Sequence, residues 1–539
     1  MVRVGVKMKD KLNKLWRELY GKEHTAEFER LLSFLEETKQ KIDYLPEDKL
    51  WYKRGIVYSL YVDLFAEDFK GLTDKLDYLE ELGITILWLL PILESPMVDQ
   101  GFDVADYYQV REELGSNEDF FTFIDQAHEK GIKIIFDIPI NHTSEQHPWF
   151  INARQSKAAE YRDFYIWSEN TDKYEETRLL LKGISNSNWT YNPPTDDYYF
   201  HRFYDIQPDL NYKNPQVLIE MIKVFCFWKQ KGMDGFRMDA APFLWKEEGT
   251  NCENLPQTHT ILKLYRTALD YLGAGTAIIA EANQKPADVV DYLGQGDECH
   301  VAYNFPIMPK FYLAVAEGKP DYLLEELAAN KQLQVPQAAQ WFTFLRCHDE
   351  LTLEFVTDKE REKMLQYYLK ESEWSFREGE GIAGRIYDLF TGNPDKVLLA
   401  YSLLFSIEGT PIIYYGDEIG MENDTEFYRR MNEKTGYVDS RFLNRGPFSQ
   451  SKRNEALADP ESDSYQIFHG LQAMIRRRKN NKQLFVKRPE YRQQKGVFIA
   501  ERTTENKQMI IYNNLRAEEV EVAGIKLPPY GYKWEFITE

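Results

Sequence analysis

From Gly55 onward, short apolar runs alternate with longer stretches in which apolar residues recur every three or four positions. Short apolar runs suit strands and the longer pattern suits amphipathic helices, so the rhythm predicts repeated β-α units. Eight runs carry the strand pattern: "GIVYSLYVDLF", "ITILWLLPI", "IKIIFDIPI", "MDGFRMDA", "TAIIAEA", "HVAYNFPI", "QWFTFLRCH" and "TPIIYYG". Between them lie "FKGLTDKLDYLEELG" and "NEDFFTFIDQAHEKG", each closed by Gly as helices often are. Strands apolar on both faces are covered on both sides. Eight of them predict an α/β fold, a (β/α)8 TIM barrel.

The flanks read differently. Residues 1–50 place Leu, Trp and Phe at helical spacing in "DKLNKLWRELYG" and "FERLLSFLEETKQKI", which predicts an N-terminal helical extension. The barrel is expected over 51–142 and 211–480. Residues 143–210, rich in Tyr, Trp, Asn and Pro, are too long for a loop and are expected to form an inserted B domain beside the barrel mouth. Residues 351–395 form a second excursion after the seventh strand. From 481 to 539, "GVFIAERTTENKQMIIYNNLRAEEVEVAGIKL" alternates in the manner of short strands, predicting a C-terminal β-sandwich domain.

Composition narrows the function classes. A net charge of -21 argues against nucleic acid, whose phosphates demand basic surface. No run reaches the length of a membrane span, and the first residues lack the apolar core of a signal peptide. The four cysteines show no C-x-x-C spacing, which suits reduced thiols in a cytoplasmic protein. The abundant aromatics suit a pocket that stacks on flat ligand faces, although large cores use them too.

Barrel chemistry sits at the carboxyl ends of the strands. There the sequence places Asp137, Asn141 and His142 on the third strand, Arg237 and Asp239 on the fourth, and Glu281 on the fifth. The seventh ends in Arg346, His348 and Asp349. Singly, each has an ordinary structural reading: a turn cap, a core histidine, an ion pair. Together, Asp239, Glu281 and Asp349 bring three carboxylates to one mouth, with His142, His348 and Arg237 beside them. Three carboxylates without a metal motif suit a retaining glycosidase, which needs a nucleophile and an acid about 5 Å apart. Arg237 beside Asp239 is expected to keep that carboxylate ionised. The apolar "IIA" before Glu281 is expected to raise its pKa, as a general acid requires. Asp349 with His348 would grip sugar hydroxyls.

These residues resemble glycoside hydrolase family 13, the α-amylase family. "FDIPINH", "GFRMDA", "IIAEA" and "FLRCHDE" follow the order of its four signature regions, with Cys347 where the family usually has Asn. The resemblance implies Asp239 as nucleophile, Glu281 as acid/base and Asp349 as transition-state stabiliser, with Arg237, His142 and His348 lining the subsite for the transferred glucose. It also implies that Asp99 of "DQGFD" pairs with Arg445 of "LNRGP" to close the pocket floor around one hexose. Phe102 and Phe203 are the implied pocket aromatics. No cofactor is expected. Calcium is left open: "DLFAEDFKG" lacks the ligand pattern of the family's calcium loop, while Asn141 and Asp209 fall where other members hold a calcium.

Two subgroups compete. "LWRELYG", "YVDLFAEDFKGLTDKLDYL" and "DSRFLNRGP" resemble amylosucrases and sucrose hydrolases, whereas "QPDLNY" and "HDELTLEFVTDKERE" resemble trehalose synthase. The leading expectation is a retaining α-glucosyl hydrolase or transglucosylase acting on sucrose or a similar small α-glucoside. The alternative is a trehalose synthase interconverting maltose and trehalose, and a minor one is a non-catalytic sugar-binding barrel. The expected partner is a small sugar. Product linkage and oligomeric state are not legible.

Overall fold

A computed structural model describes residues 2–181 and 185–537. All eight apolar runs form strands: β1 (Val57–Leu60), β2 (Ile86–Leu89), β3 (Lys133–Pro139), β4 (Gly235–Asp239), β5 (Ala277–Ala280), β6 (Val301–Tyr303), β7 (Gln340–Phe344) and β8 (Thr410–Tyr414). Each pairs in parallel with the next, and β8 returns to β1, so the sheet closes into a barrel. Closure removes both sheet edges and leaves no unpaired strand facing water. Gly235 is required where β3, β4 and β5 meet. A Cβ there would lie 2.7 Å from Ile135 Cγ2 and 2.8 Å from the Ala277 carbonyl.

The helices follow their sequence signals. Asn117–Glu129 starts with a capping box, in which the Ser116 hydroxyl accepts from the Asp119 N–H and Asp119 accepts from the Ser116 N–H. It buries Phe120, Phe123, Ile124 and Ala127 against the barrel. The stretch predicted as one helix before β2 is two, Phe69–Asp74 and Leu76–Leu82, closed by Gly83 at φ 101°.

The N-terminal extension is two helices, Val2–Tyr20 and Thr25–Lys39, which bury Leu12, Trp16, Leu31 and Leu35. Tyr44, just beyond them, donates to Asp234 at the amino-terminal side of β4, 2.8 Å away. The extension therefore braces the barrel far from the mouth. The inserted domain after β3 carries a helix, Pro148–Ala153, and a three-stranded antiparallel sheet, Trp167–Ser168, Asp197–Phe200 and Trp189–Asn192. Bridges His142–Asp209 and Tyr165–Leu210 tie its base to the barrel rim.

The excursion after β7 holds a small sheet of Leu351–Thr352, Gly381–Ile382 and Ser375–Phe376, with a helix, Asp358–Tyr368. A further excursion, after β8, escaped the sequence pattern. It comprises helix Thr425–Thr435 and the 3₁₀ turn Ser440–Asn444. The chain ends in a four-stranded antiparallel sheet, Glu490–Gln494, Val497–Thr503, Gln508–Asn514 and Tyr532–Ile537. A two-stranded sheet, Val520–Val522 with Ile525–Leu527, lies against it. Their apolar faces share a core of Val497, Ile499, Val522 and Leu527, the arrangement of a sandwich. All four cysteines are free and buried. Among the described residues, no helix is long and apolar enough to cross a membrane.

Candidate active site

Alternate residues of a strand share a face, so Arg237 and Asp239 on β4 both point to the barrel axis. Arg237 is 1% exposed. Its Nη1 donates to Asp137 Oδ1 at 2.6 Å and to Asp239 Oδ1 at 3.0 Å, and its Nη2 touches Glu281. One guanidinium therefore gathers carboxylates from β3, β4 and the end of β5. The rings of Trp88 and Phe102 lie 5.3 and 5.4 Å from its central carbon, adding cation–π attraction. Ala240, directly after Asp239, sits at φ 56°, a left-handed conformation uncommon for a residue with a Cβ. Its N–H donates to Glu281 Oε2 at 3.3 Å.

The protonation pattern differs from the sequence expectation. Burial pushes Asp239 well above the usual carboxylate range, the Glu281 carboxylate pushes it further, and Arg237 opposes both without prevailing. The apolar frame expected around Glu281 is replaced by contact with Arg237 and by the Ala240 amide. The Glu281 side chain lies within hydrogen-bond reach of Asp239, so repulsion between two carboxylates adds to burial at Asp239. Burial likewise lifts Asp137 to about 7, against the pull of Arg237.

The opposite wall comes from β7 and the excursion after β8. His348 Nε2 lies 3.1 Å from Asp349 Oδ2, and the Phe102 ring stacks on His348 at 5.5 Å and 20°. Asp349 Oδ1 receives Arg441 Nη1 at 3.1 Å and Arg445 Nη2 at 3.3 Å. Burial would raise Asp349, but His348 and these guanidiniums outweigh it and hold the carboxyl well below its ordinary value. Arg346 lies outside the cavity wall, donating to the carbonyls of Gly384 and Asp349.

A third wall joins the inserted domain to the rim. The Gln207 amide donates to Asp99 Oδ2 at 3.0 Å and to His142 Nε2 at 3.2 Å. Burial lowers His142 to about 4, so it accepts as a neutral imidazole. Burial also lifts Asp99 to about 7, against Arg441. Phe203 packs 5.1 Å from the His142 ring.

Asp99, Phe102, His142, Phe203, Arg237, Asp239, Glu281, His348 and Asp349 line one cavity of about 150 Å³, whereas Asp137, Asn141, Arg346 and Arg445 do not. The pairing expected between Asp99 and Arg445 is corrected: among the described residues Asp99 takes Gln207, while Arg445 lies behind Asp349 and donates to the His348 carbonyl at 2.8 Å. The arginine that lines the cavity is Arg441, held by Asp439 through Nε at 2.9 Å and Nη2 at 2.6 Å. Sequence reading missed it although "DSRFLNR" carries both arginines, because nothing local distinguishes the one that turns inward.

The mouth was also missed. Arg178 of the inserted domain donates to Glu253 at 2.9 Å and to Glu354 of the excursion after β7 at 2.7 Å. Asn283, two residues past Glu281, donates to the other oxygen of Glu354 at 3.2 Å. This network lies across the outer side of the cavity.

The residues that left calcium open do not fit a metal. Lys246 Nζ lies 2.7 Å from Asn141 Oδ1 and 2.8 Å from Asp209 Oδ2, so an ammonium already stands between them. One other group of described residues has metal-ligand spacing, Cys347, His348 and Asp349. Burial pushes the Cys347 thiol up to about 12, away from the thiolate a metal needs, and Asp349 is taken by two arginines.

Residues 33–374 match the family described as "Alpha amylase, catalytic domain". The chain belongs to the α-amylase family, glycoside hydrolases and transglucosylases built on this barrel. Within it, the chain is similar to "Trehalose synthase/amylase TreS" of Mycolicibacterium smegmatis, 42% identical over 438 residues, 79% of this chain and 73% of that one. It is 44% identical over 385 residues to "Trehalose synthase" of Thermus thermophilus, covering 69% of this chain but 39% of that longer protein. Among solved structures, a trehalulose synthase mutant in complex with Tris superimposes with a TM-score of 0.72 at 21% identity, over 90% of this chain and 100% of that one, a likeness of fold. The leading sequence expectation, sucrose as substrate, is overturned by these relatives. Identities of 41–44% over 69–79% of the chain fall on trehalose synthases.

Proposed function

We propose that this protein is a trehalose synthase that interconverts maltose and trehalose through a covalent β-glucosyl enzyme. The observation that carries the reading is the 41–44% identity to trehalose synthases, which falls on a chain whose three carboxylates face one cavity. Asp239 attacks the anomeric carbon as Glu281 passes its proton to the glycosidic oxygen. The bond to the second glucose breaks and an ester to Asp239 forms. As the proton leaves Asp239 for Glu281, Arg237 stabilises the Asp239 carboxylate that attacks. Asp349, fixed by Arg441 and Arg445, holds sugar hydroxyls together with the neutral rings of His348 and His142. Such hydrogen bonds strengthen as the ring flattens toward the oxocarbenium-like transition state.

The anomeric hydroxyl of the freed glucose then attacks the bound glucosyl carbon as Glu281 accepts its proton, the ester to Asp239 breaks to return the carboxylate, and trehalose forms. Isomerisation demands that glucose stay while water stays out. The Arg178–Glu354–Asn283 network supports that role, since it joins the inserted domain, the excursion after β7 and the segment after Glu281 along the cavity lining. Maltose and trehalose, supplied separately, will each yield the other, with sucrose releasing fructose far more slowly. Free glucose from all three and no disaccharide exchange would overturn the reading. Arg178→Ala, which opens the network without touching Asp239 or Glu281, will raise the ratio of glucose to trehalose several-fold, read by chromatography of the products. An unchanged ratio would remove the mouth from the account.

A further inference from the structure

Lys246 is buried, and so are the two residues whose oxygens its ammonium meets, Asn141 and Asp209. Those oxygens belong to different parts of the molecule. Asn141 follows β3 on the barrel rim. Asp209 closes the inserted domain, where its Oδ1 accepts the Arg202 N–H at 3.0 Å and its N–H donates to the Phe200 carbonyl. Lys246 itself comes from the segment after β4, so three separate stretches converge on one nitrogen. That segment also carries Glu253, which pairs with Arg178 and Arg202.

The ammonium therefore balances a buried carboxylate and ties the inserted domain to the barrel one residue from His142, whose ring lines the cavity. A buried charge persists only where it is paired and hydrogen-bonded. A divalent ion added here would meet a lysine charge in its own coordination sphere, and that repulsion excludes it while Lys246 is present. Take the ammonium away, and what remains is a set of oxygen donors of the kind that hard cations such as calcium prefer. An approach exists from outside. A separate cavity of about 360 Å³ reaches Lys246 between Tyr165, Asn211 and Lys213.

We propose that Lys246 serves as a built-in cation in place of a metal ion between the barrel and the inserted domain, and that its removal converts the place into a calcium-dependent site. The native protein will contain far less than one equivalent of calcium by elemental analysis, and chelator will leave its Tm and trehalose formation unchanged. Lys246→Ala will melt several degrees lower in chelator, and millimolar calcium, but not sodium at equal ionic strength, will recover most of that loss. Lys246→Met, which fills the space without charge, will melt lower and gain nothing from calcium. Should Lys246→Ala express only as aggregate, refolding with and without calcium supplies the same comparison. About one tightly held calcium per native chain, lost to chelator together with a fall in Tm, would overturn the proposal. So would a Lys246→Ala protein indifferent to calcium.

Discussion

Asp239→Asn will lower the conversion of maltose to trehalose by about 10⁴-fold or more, with the fold intact. The amide keeps the shape of the carboxylate and its carbonyl oxygen still accepts from Arg237 Nη1, the contact now made at 3.0 Å. What it loses is the negative oxygen that forms the ester to glucose. Stability should not fall with activity. Burial and Glu281 already push the Asp239 carboxyl up, so its ionised form is held at a cost that the neutral amide avoids. The variant should therefore melt at or above the native temperature while turnover collapses. Mass spectrometry adds a second reading: a fluorinated glucosyl substrate that traps the native enzyme as an adduct will leave Asp239→Asn unlabelled. Turnover within about tenfold of native would remove Asp239 from the nucleophile's place.

The barrel was legible because each strand is an apolar run, and a run buried on both faces leaves a signal no loop imitates. The cavity was legible for the converse reason. Asp137, Arg237, Asp239, Glu281 and His348 interrupt or end apolar runs, where an unpaired charge would be costly. What failed depended on partners distant in the chain. Arg441 reaches Asp349 across 92 positions, and Lys246 reaches Asn141 across 105, from polar stretches with no periodicity. The protonation argument failed for a related reason. Arg237 is the charged neighbour of Asp239 along the strand, but burial and the Glu281 carboxylate, 42 positions on, outweigh it in space. The choice of sugar failed because it was read from short segments, whereas the identity to trehalose synthases extends over 69–79% of the chain.

Arg237→Leu will destabilise the protein by about 3–5 kcal/mol at neutral pH, the range for breaking a buried ion pair from one side, and will abolish turnover. The loss comes less from the contacts removed than from the three carboxylates left behind. Asp137, Asp239 and Glu281 then face one another with no counter-charge, and they can relieve the repulsion only by taking up protons. Asp137 already stands at about 7 with the guanidinium in place, against an unfolded value near that of free aspartate. Without Arg237 it must move higher. The native form of the variant then binds more protons than the native form of the parent, while the unfolded forms bind the same number. Stability changes with pH as the difference between protons bound unfolded and folded, so the variant loses more than the parent as pH rises through neutrality. Urea unfolding at acidic and at mildly alkaline pH will show a gap between the two proteins that is small at the first and wide at the second. Arg237→Lys separates charge from geometry. An ammonium restores one positive charge but cannot span three carboxylates as a planar guanidinium does, so it should recover much of the stability and little of the turnover. A gap independent of pH would mean that the carboxylates are not relieved by protonation, and that Arg237 holds the barrel together by packing against Trp88 and Phe102 instead.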